Sequence, residues 1–188
     1  MQTQLLQPRI WGWLKNGPLQ IALKIPLSFA TVSPKVAARV KELQALILGS
    51  ADVGADADKP PDTAERARMS CLLALDALHQ MYQSARAGVN GLGPVWVWTI
   101  MAPYDFRELI LEEHPMALII LGHYAGIVRC YEDRWYLQGW SGRVWAALEQ
   151  SLGEEWRAWL EWPKAVPEED IVSNHPSDDA WFIIDPTE

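Results

Sequence analysis

One histidine stands out among the residues whose types and spacing could support chemistry. His123 lies within residues 116–128, a run of 13 residues that carries no formal charge. On a helix, Gly122 and Gly126 lie beside it at i,i+4 spacing, which allows either close helix packing or room for a ligand against the imidazole. Two interpretations stay open. His123 is a buried residue bonded to a neighbouring carbonyl, or it contacts a ligand or acts as an acid or base, with Tyr124 beside it.

Other catalytic and metal-binding patterns are absent from the sequence. Cys130 lies two helical turns from His123, about 10 Å away, which is too far for a thiolate–imidazole pair. The four histidines form no His-Glu-x-x-His motif and no Cys/His pairs, so we expect no metal. The sequence also contains no glycine-rich phosphate loop and no Gly-x-Ser-x-Gly elbow, so we expect no cofactor.

Composition narrows the class of protein. The chain has 188 residues, half of them hydrophobic, which is typical of one globular domain. Its formal charge is −8, and the basic residues are scattered, so we expect no direct nucleic-acid binding. Cys71 and Cys130 are too far apart to form a disulfide framework, and residues 1–9 do not read as a secretory signal. We therefore expect an intracellular location, cytoplasmic or nuclear.

Helical periodicity and breaker residues predict the elements that must position His123. The predicted class is all-α, an irregular helical domain around a central apolar helix, which is too short to span a membrane. We predict a helical domain over residues 1–163, with a mobile loop at about 49–61, and an acidic C-terminal tail over residues 164–188. Ser33 is the predicted cap of the first long helix. The predicted helices cover residues 34–48, 62–87, 103–110, 116–128, 133–150 and 153–161.

The order of aromatic residues beyond residue 95 is similar to that of a known family. The pieces are Trp96 and Trp98, residues 103–106, 115–124 and 134–140, and residues 155–163, together with residues 10–22. They resemble the C-terminal regulatory domain of fungal zinc binuclear cluster transcription factors, particularly the sterol-uptake-control type. The resemblance covers about three-fifths of the chain.

That resemblance implies an all-helical fold and, as in sterol-responsive members, a buried pocket for a hydrophobic molecule. The family's six-cysteine DNA-binding cluster is absent, because the chain has two cysteines. Transcription-factor activity therefore does not carry over. The helices that normally precede residue 10 are also missing, which leaves apolar surface to cover. We therefore expect a homodimer with a helical interface.

The chain contains eleven tryptophans, which suit either a thick core or a pocket for an apolar ligand. We consider two main functions, which belong to different classes. The first is binding of a hydrophobic sterol-, terpenoid- or polyketide-like molecule. The alternative is a cofactor-free enzyme that cyclises or isomerises such a molecule in fungal secondary metabolism, with His123 or Tyr124 as the acid or base. A third possibility is a module that pairs with full-length relatives. The predicted ligand-binding residues are Trp96, Trp98, Ile119, His123, Tyr124, Ile127, Trp135 and Trp140.

Overall fold

The fold is known from a computed structural model that describes residues 29–49, 61–88, 95, 98–99 and 101–173. Within these residues the chain forms seven α-helices and no strand, so the predicted all-α class is confirmed. None of the described helices combines the length and the apolar character that a membrane span requires. Trp96, residues 1–28 and most of the predicted loop at 49–61 lie outside the described residues. The helices are α1 (Pro34–Gly49), α2 (Pro61–Arg86), α3 (Tyr104–Leu111), α4 (Pro115–Arg129), α5 (Trp140–Ser151), α6 (Glu154–Ala165) and α7 (Glu168–Ile171).

Helices α1 and α2 pack against each other as an antiparallel pair. The predicted cap of α1 is confirmed, since Ser33 Oγ accepts a hydrogen bond from the Val36 N–H at 3.3 Å. Just before α1, the Ala30 N–H donates to the Gln83 carbonyl at 3.1 Å, near the end of α2. The start of α1 therefore lies beside the end of α2. The buried residues of α1 are Val36, Leu43 and Ile47, spaced so that all three face the core.

Helix α4 is buried along most of its length. Twelve of its 15 residues are buried, and it contacts α2, α3, α5 and α6. A helix with apolar residues on every side can be surrounded by other helices at little cost in free energy, because few of its side chains are polar and need hydrogen-bond partners. His123 and Tyr124 therefore lie on a helix that packs against four others.

The last two long helices differ from their predicted bounds. Helix α5 begins at Trp140 rather than near residue 133, because residues 130–139 form successive turns that end at Gly139 with a left-handed φ of 67°. Helix α6 continues to Ala165, past Pro163. Proline normally ends a helix because it lacks an N–H and its ring crowds the preceding turn. In α6, the carbonyl that Pro163 leaves without its helical partner is that of Trp159, and it accepts a hydrogen bond from Arg39 of α1 instead.

The residues directly after α6 pack onto the helical body, although the predicted acidic tail begins at residue 164. Val166, Ile171 and Val172 are buried. Arg86 of α2 donates to the carbonyls of Glu169 and Val172, which anchors α7 to the end of α2. The helical body thus extends to about residue 173, and residues 174–188 lie outside the described residues.

Candidate functional site

His123 is completely buried, and both of its ring nitrogens have partners. Nδ1 lies 2.9 Å from the Ile119 carbonyl oxygen, and Nε2 lies 3.0 Å from Arg39 Nε. A carbonyl only accepts hydrogen bonds and a guanidinium only donates them. The two contacts together therefore select a neutral ring with its proton on Nδ1.

Burial reinforces the neutral state of this histidine. The loss of solvation is the main reason why the pKa of His123 is lowered to about 3. The hydrogen bond to the Ile119 carbonyl acts in the opposite direction and raises the pKa, and the nearby Arg39 charge adds a smaller lowering. The Nε2 lone pair, which a general base needs, is occupied by Arg39. In this arrangement His123 links α4 to α1 and has no free position from which to exchange a proton.

Arg39 connects His123 to two tryptophans of α6. Its guanidinium carbon lies 4.5 Å from the centre of the Trp159 ring and 5.7 Å from that of Trp162. Trp162 in turn stacks on the His123 ring, with 5.6 Å between centroids and 17° between planes. Arg39 Nη2 also donates to the Trp159 carbonyl at 3.0 Å. That carbonyl lies four residues before Pro163 and cannot receive its normal helical bond, because proline has no N–H.

We call His123, Arg39, Trp159 and Trp162 the His123 network. It ties together α1, α4 and α6 and satisfies buried polar atoms that the backbone leaves open. These packing and hydrogen-bond roles account for the contacts among the four residues, and no bound ligand is needed to explain them.

The two glycines beside His123 allow close packing of α4 against α6. A Cβ placed on Gly126 would lie 3.1 Å from the Pro163 carbonyl oxygen and 3.2 Å from the Pro163 Cβ. A Cβ on Gly122 would collide with the Leu160 side chain. Of the two alternatives that the sequence leaves open for these glycines, the structure shows close helix packing.

Tyr124 belongs to a separate aromatic cluster on the other side of α4. Its ring stacks on Trp98 at 4.3 Å between centroids and meets the edge of Trp140 at 5.8 Å. Its hydroxyl donates to the Val95 carbonyl at 2.6 Å, and Trp98 Nε1 donates to the Ala74 carbonyl at 3.1 Å. Burial raises the pKa of Tyr124, so the phenol stays protonated. The polar tips of these aromatic residues are therefore used to join α4 to α2 and to the segment before α3.

The remaining predicted ligand-binding residues are dispersed. Ile119 and Ile127 are fully buried in the core. Trp135 is 84% exposed, in the turns between α4 and α5, where its ring contacts Tyr136. The structure thus brings Trp98, Tyr124 and Trp140 together but places Trp135 at the surface.

Neither cysteine is set up as a nucleophile. Cys71 and Cys130 are both free and buried, and burial raises the pKa of each thiol to about 12. Neither is therefore a thiolate at neutral pH. In the part of the chain that the structure describes, no three His, Cys, Asp or Glu side chains converge in a way that could hold a metal ion.

An open groove between α1 and α2 offers a different kind of site. Its volume is about 180 Å³. Leu75, which is 3% exposed, and the half-buried Val40 and Leu72 supply apolar surface. We call it the α1/α2 groove, and its lining residues are Val40, Gln44, Leu72, Leu75, Asp76 and His79.

The groove combines apolar surface with a few polar side chains that can fix a ligand's orientation. Asp76 accepts a hydrogen bond from Gln80 Nε2 at 2.9 Å, which holds its carboxylate in place. His79 follows Asp76 by three residues and therefore lies on the same face of α2.

Sequence reasoning missed this groove because its residues come from two helices and include ordinary leucines. The one available signal was the spacing of Leu72, Asp76 and His79, which places them along one flank of the buried stripe of α2. That spacing does not reveal that α1 leaves the flank uncovered.

Compared with known protein families, curated proteins and solved structures, this chain matches none. The resemblance to the fungal regulatory domain therefore stays a prediction.

Proposed function

We propose that the protein binds a hydrophobic small molecule and that the α1/α2 groove is its binding site. The observation that carries this proposal is the lining of the groove, where Val40, Leu72 and Leu75 lie beside a carboxylate, an amide and an imidazole. Small-molecule sites are generally concave, mostly apolar and supplied with a few placed polar groups. In the His123 network and the Tyr124 cluster, by contrast, the polar atoms already have hydrogen-bond partners within the protein.

Groove size limits the ligand. An apolar cavity of roughly 150 Å³ accommodates a molecule the size of benzene, and the groove here measures about 180 Å³. A compact terpenoid-like molecule therefore fits better than a whole sterol. A sterol or polyketide would place one ring in the groove and leave the remainder in solvent.

Polar groups on the rim favour a ligand that carries a hydroxyl. The Asp76 carboxylate accepts hydrogen bonds, and the Gln44 amide both donates and accepts them. A terpenoid alcohol can donate to Asp76 while its hydrocarbon skeleton covers Leu72 and Leu75. A hydrocarbon of the same shape forms no such hydrogen bond and is expected to bind more weakly.

The test uses N-phenyl-1-naphthylamine, whose fluorescence rises in apolar sites. We expect saturable binding to the protein, displacement by the terpenoid alcohol borneol, and weaker displacement by its parent hydrocarbon. Leu72→Gln removes apolar contact worth about 1 kcal/mol and should weaken binding about fivefold. Leu111→Gln is the matched control, because Leu111 is 83% exposed and lies outside the groove.

Circular dichroism of each variant separates lost binding from lost folding. Absence of saturable fluorescence in the wild-type protein, or equal binding by Leu72→Gln and wild type, would contradict the proposed site.

A cofactor-free isomerase or cyclase is the second candidate, and one observation favours it. His79 and Asp76 line the same groove, within reach of a bound molecule, whereas the nitrogens of His123 are occupied. An imidazole in this position can remove a proton from one carbon of the ligand and return it to another, so that no oxidant or cofactor is needed. Chromatography after incubation with a fungal metabolite extract distinguishes the two functions. A binder returns its ligand unchanged, whereas an enzyme yields an isomer that disappears in His79→Gln.

A further inference from the structure

Four residues on the outer face of α2 form a regular stripe. Arg66, Met69, Leu73 and Asp76 follow one another at intervals of three, four and three residues, the spacing by which one helix presents a seam to another. All four are exposed, and the two apolar members, Met69 and Leu73, are 53% and 52% exposed. We call these four residues the α2 seam.

The α2 seam is complementary to a second copy of itself in one orientation. When two α2 helices lie antiparallel about a two-fold axis between Met69 and Leu73, each Met69 faces the partner copy's equivalent of Leu73. The same axis places each Arg66 opposite an Asp76. A two-fold interface of this kind forms every contact twice.

Charge selects the antiparallel arrangement. A parallel pairing in register would place Arg66 against Arg66 and Asp76 against Asp76, and such like-charge contacts oppose association. The antiparallel pairing replaces both repulsions with attractions. Its apolar centre and charged ends follow the usual arrangement of protein interfaces, with an apolar core and a polar rim.

We infer that two copies of the chain associate through the α2 seam as an antiparallel pair. The inference goes beyond ligand binding and does not depend on it. The seam covers less than three helical turns, much less than the roughly 1,600 Å² of a standard interface. We therefore expect a reversible dimer with a dissociation constant in the micromolar range. Asp76 also lines the α1/α2 groove, so each groove lies at the edge of the paired helices.

The experiment is sedimentation velocity across a concentration series with charge-reversal variants. Wild-type protein should shift from monomer to dimer as its concentration rises. Arg66→Asp or Asp76→Arg alone places like charges opposite each other and should raise the dissociation constant about tenfold. The double variant Arg66→Asp/Asp76→Arg restores opposite charges and should return the constant to near the wild-type value. Leu111→Asp, at an exposed leucine outside the seam, is the control and should leave the constant unchanged.

The outcomes separate this inference from the proposed function. Arg66 lies outside the groove, so Arg66→Asp should weaken pairing and leave N-phenyl-1-naphthylamine binding intact. A monomer at every concentration overturns the inference, as expected if another part of the same chain or a different protein covers the seam. A dimer that tolerates both single reversals, or that the double variant does not restore, also overturns it.

Discussion

The His123 network and the exposed side of the α1/α2 pair use similar residue types in opposite ways. In the network, the nitrogens of His123 and the carbonyl of Trp159 all have partners within the protein. On the α1/α2 side, Met69 and Leu73 remain half exposed, and Asp76 and His79 line an open groove. This difference shows that residue type alone does not identify a functional site. Chemically versatile groups stabilise the fold where packing is complete, and recognition becomes possible where packing stops.

The largest expected effect is an acid sensitivity that originates in the network. The folded pKa of His123, about 3, lies below its ordinary value of 6.5. Between these values the unfolded state binds a proton that the folded state does not. The free energy of unfolding should therefore fall by about 1.4 kcal/mol for each unit by which pH decreases from 6.5 towards 3, and this contribution is fully present above pH 6.5.

Urea denaturation at a series of pH values measures this slope. His123→Gln should remove the part that His123 contributes, whereas His79→Gln, at a partly exposed histidine, should retain it. Identical slopes for wild type and His123→Gln would show that the network does not couple protonation to stability.

The next effect tests how tightly α4 and α6 pack beside the network. Gly126→Leu forces a side chain against the Pro163 backbone and should lower the free energy of unfolding by about 3 kcal/mol. Gly142→Leu is the matched control, because a Cβ on Gly142 meets no atom within 4 Å. It should leave stability unchanged or raise it by about 0.5 kcal/mol through better helix propensity. Similar stabilities for the two variants, by thermal or urea denaturation, would mean that the helices separate easily.

The smallest expected effect lies on the α2 seam. Leu73→Asn removes an exposed leucine that contributes little to the core of a single chain. At a protein concentration well below the dimer dissociation constant, its free energy of unfolding should stay within about 0.5 kcal/mol of wild type. A loss of 2 kcal/mol or more under these conditions would show that Leu73 is covered within one chain, and the contrast between the two regions would fail.

Local patterns predicted most of the helices. Ser33 and Pro34 mark the start of α1, and Pro103 and Pro115 frame α3 and α4, because capping and proline effects act over a few residues. The late start of α5 was not predicted, since the left-handed turn at Gly139 follows from how residues 130–139 connect two helices. The extension of α6 was also missed, because Arg39 supplies the hydrogen bond that Pro163 cannot.

The candidate site was predicted less well than the fold. His123 was identified because it is a histidine among apolar residues, but its partner Arg39 lies 84 residues away. No local pattern links residues at that distance. The α1/α2 groove escaped notice for the same reason, since Val40 and His79 meet only when α1 and α2 pack.

The sequence by itself determined that the protein is helical, where most of its helices lie and that His123 belongs to an apolar helix. Periodicity, caps and prolines carry this information because they act within one or two turns of the chain. Only the tertiary structure decided that Arg39 satisfies both His123 and the carbonyl opposite Pro163, and that a groove opens between α1 and α2. These features depend on how closely separate helices approach one another, and that distance is set by packing across the whole core.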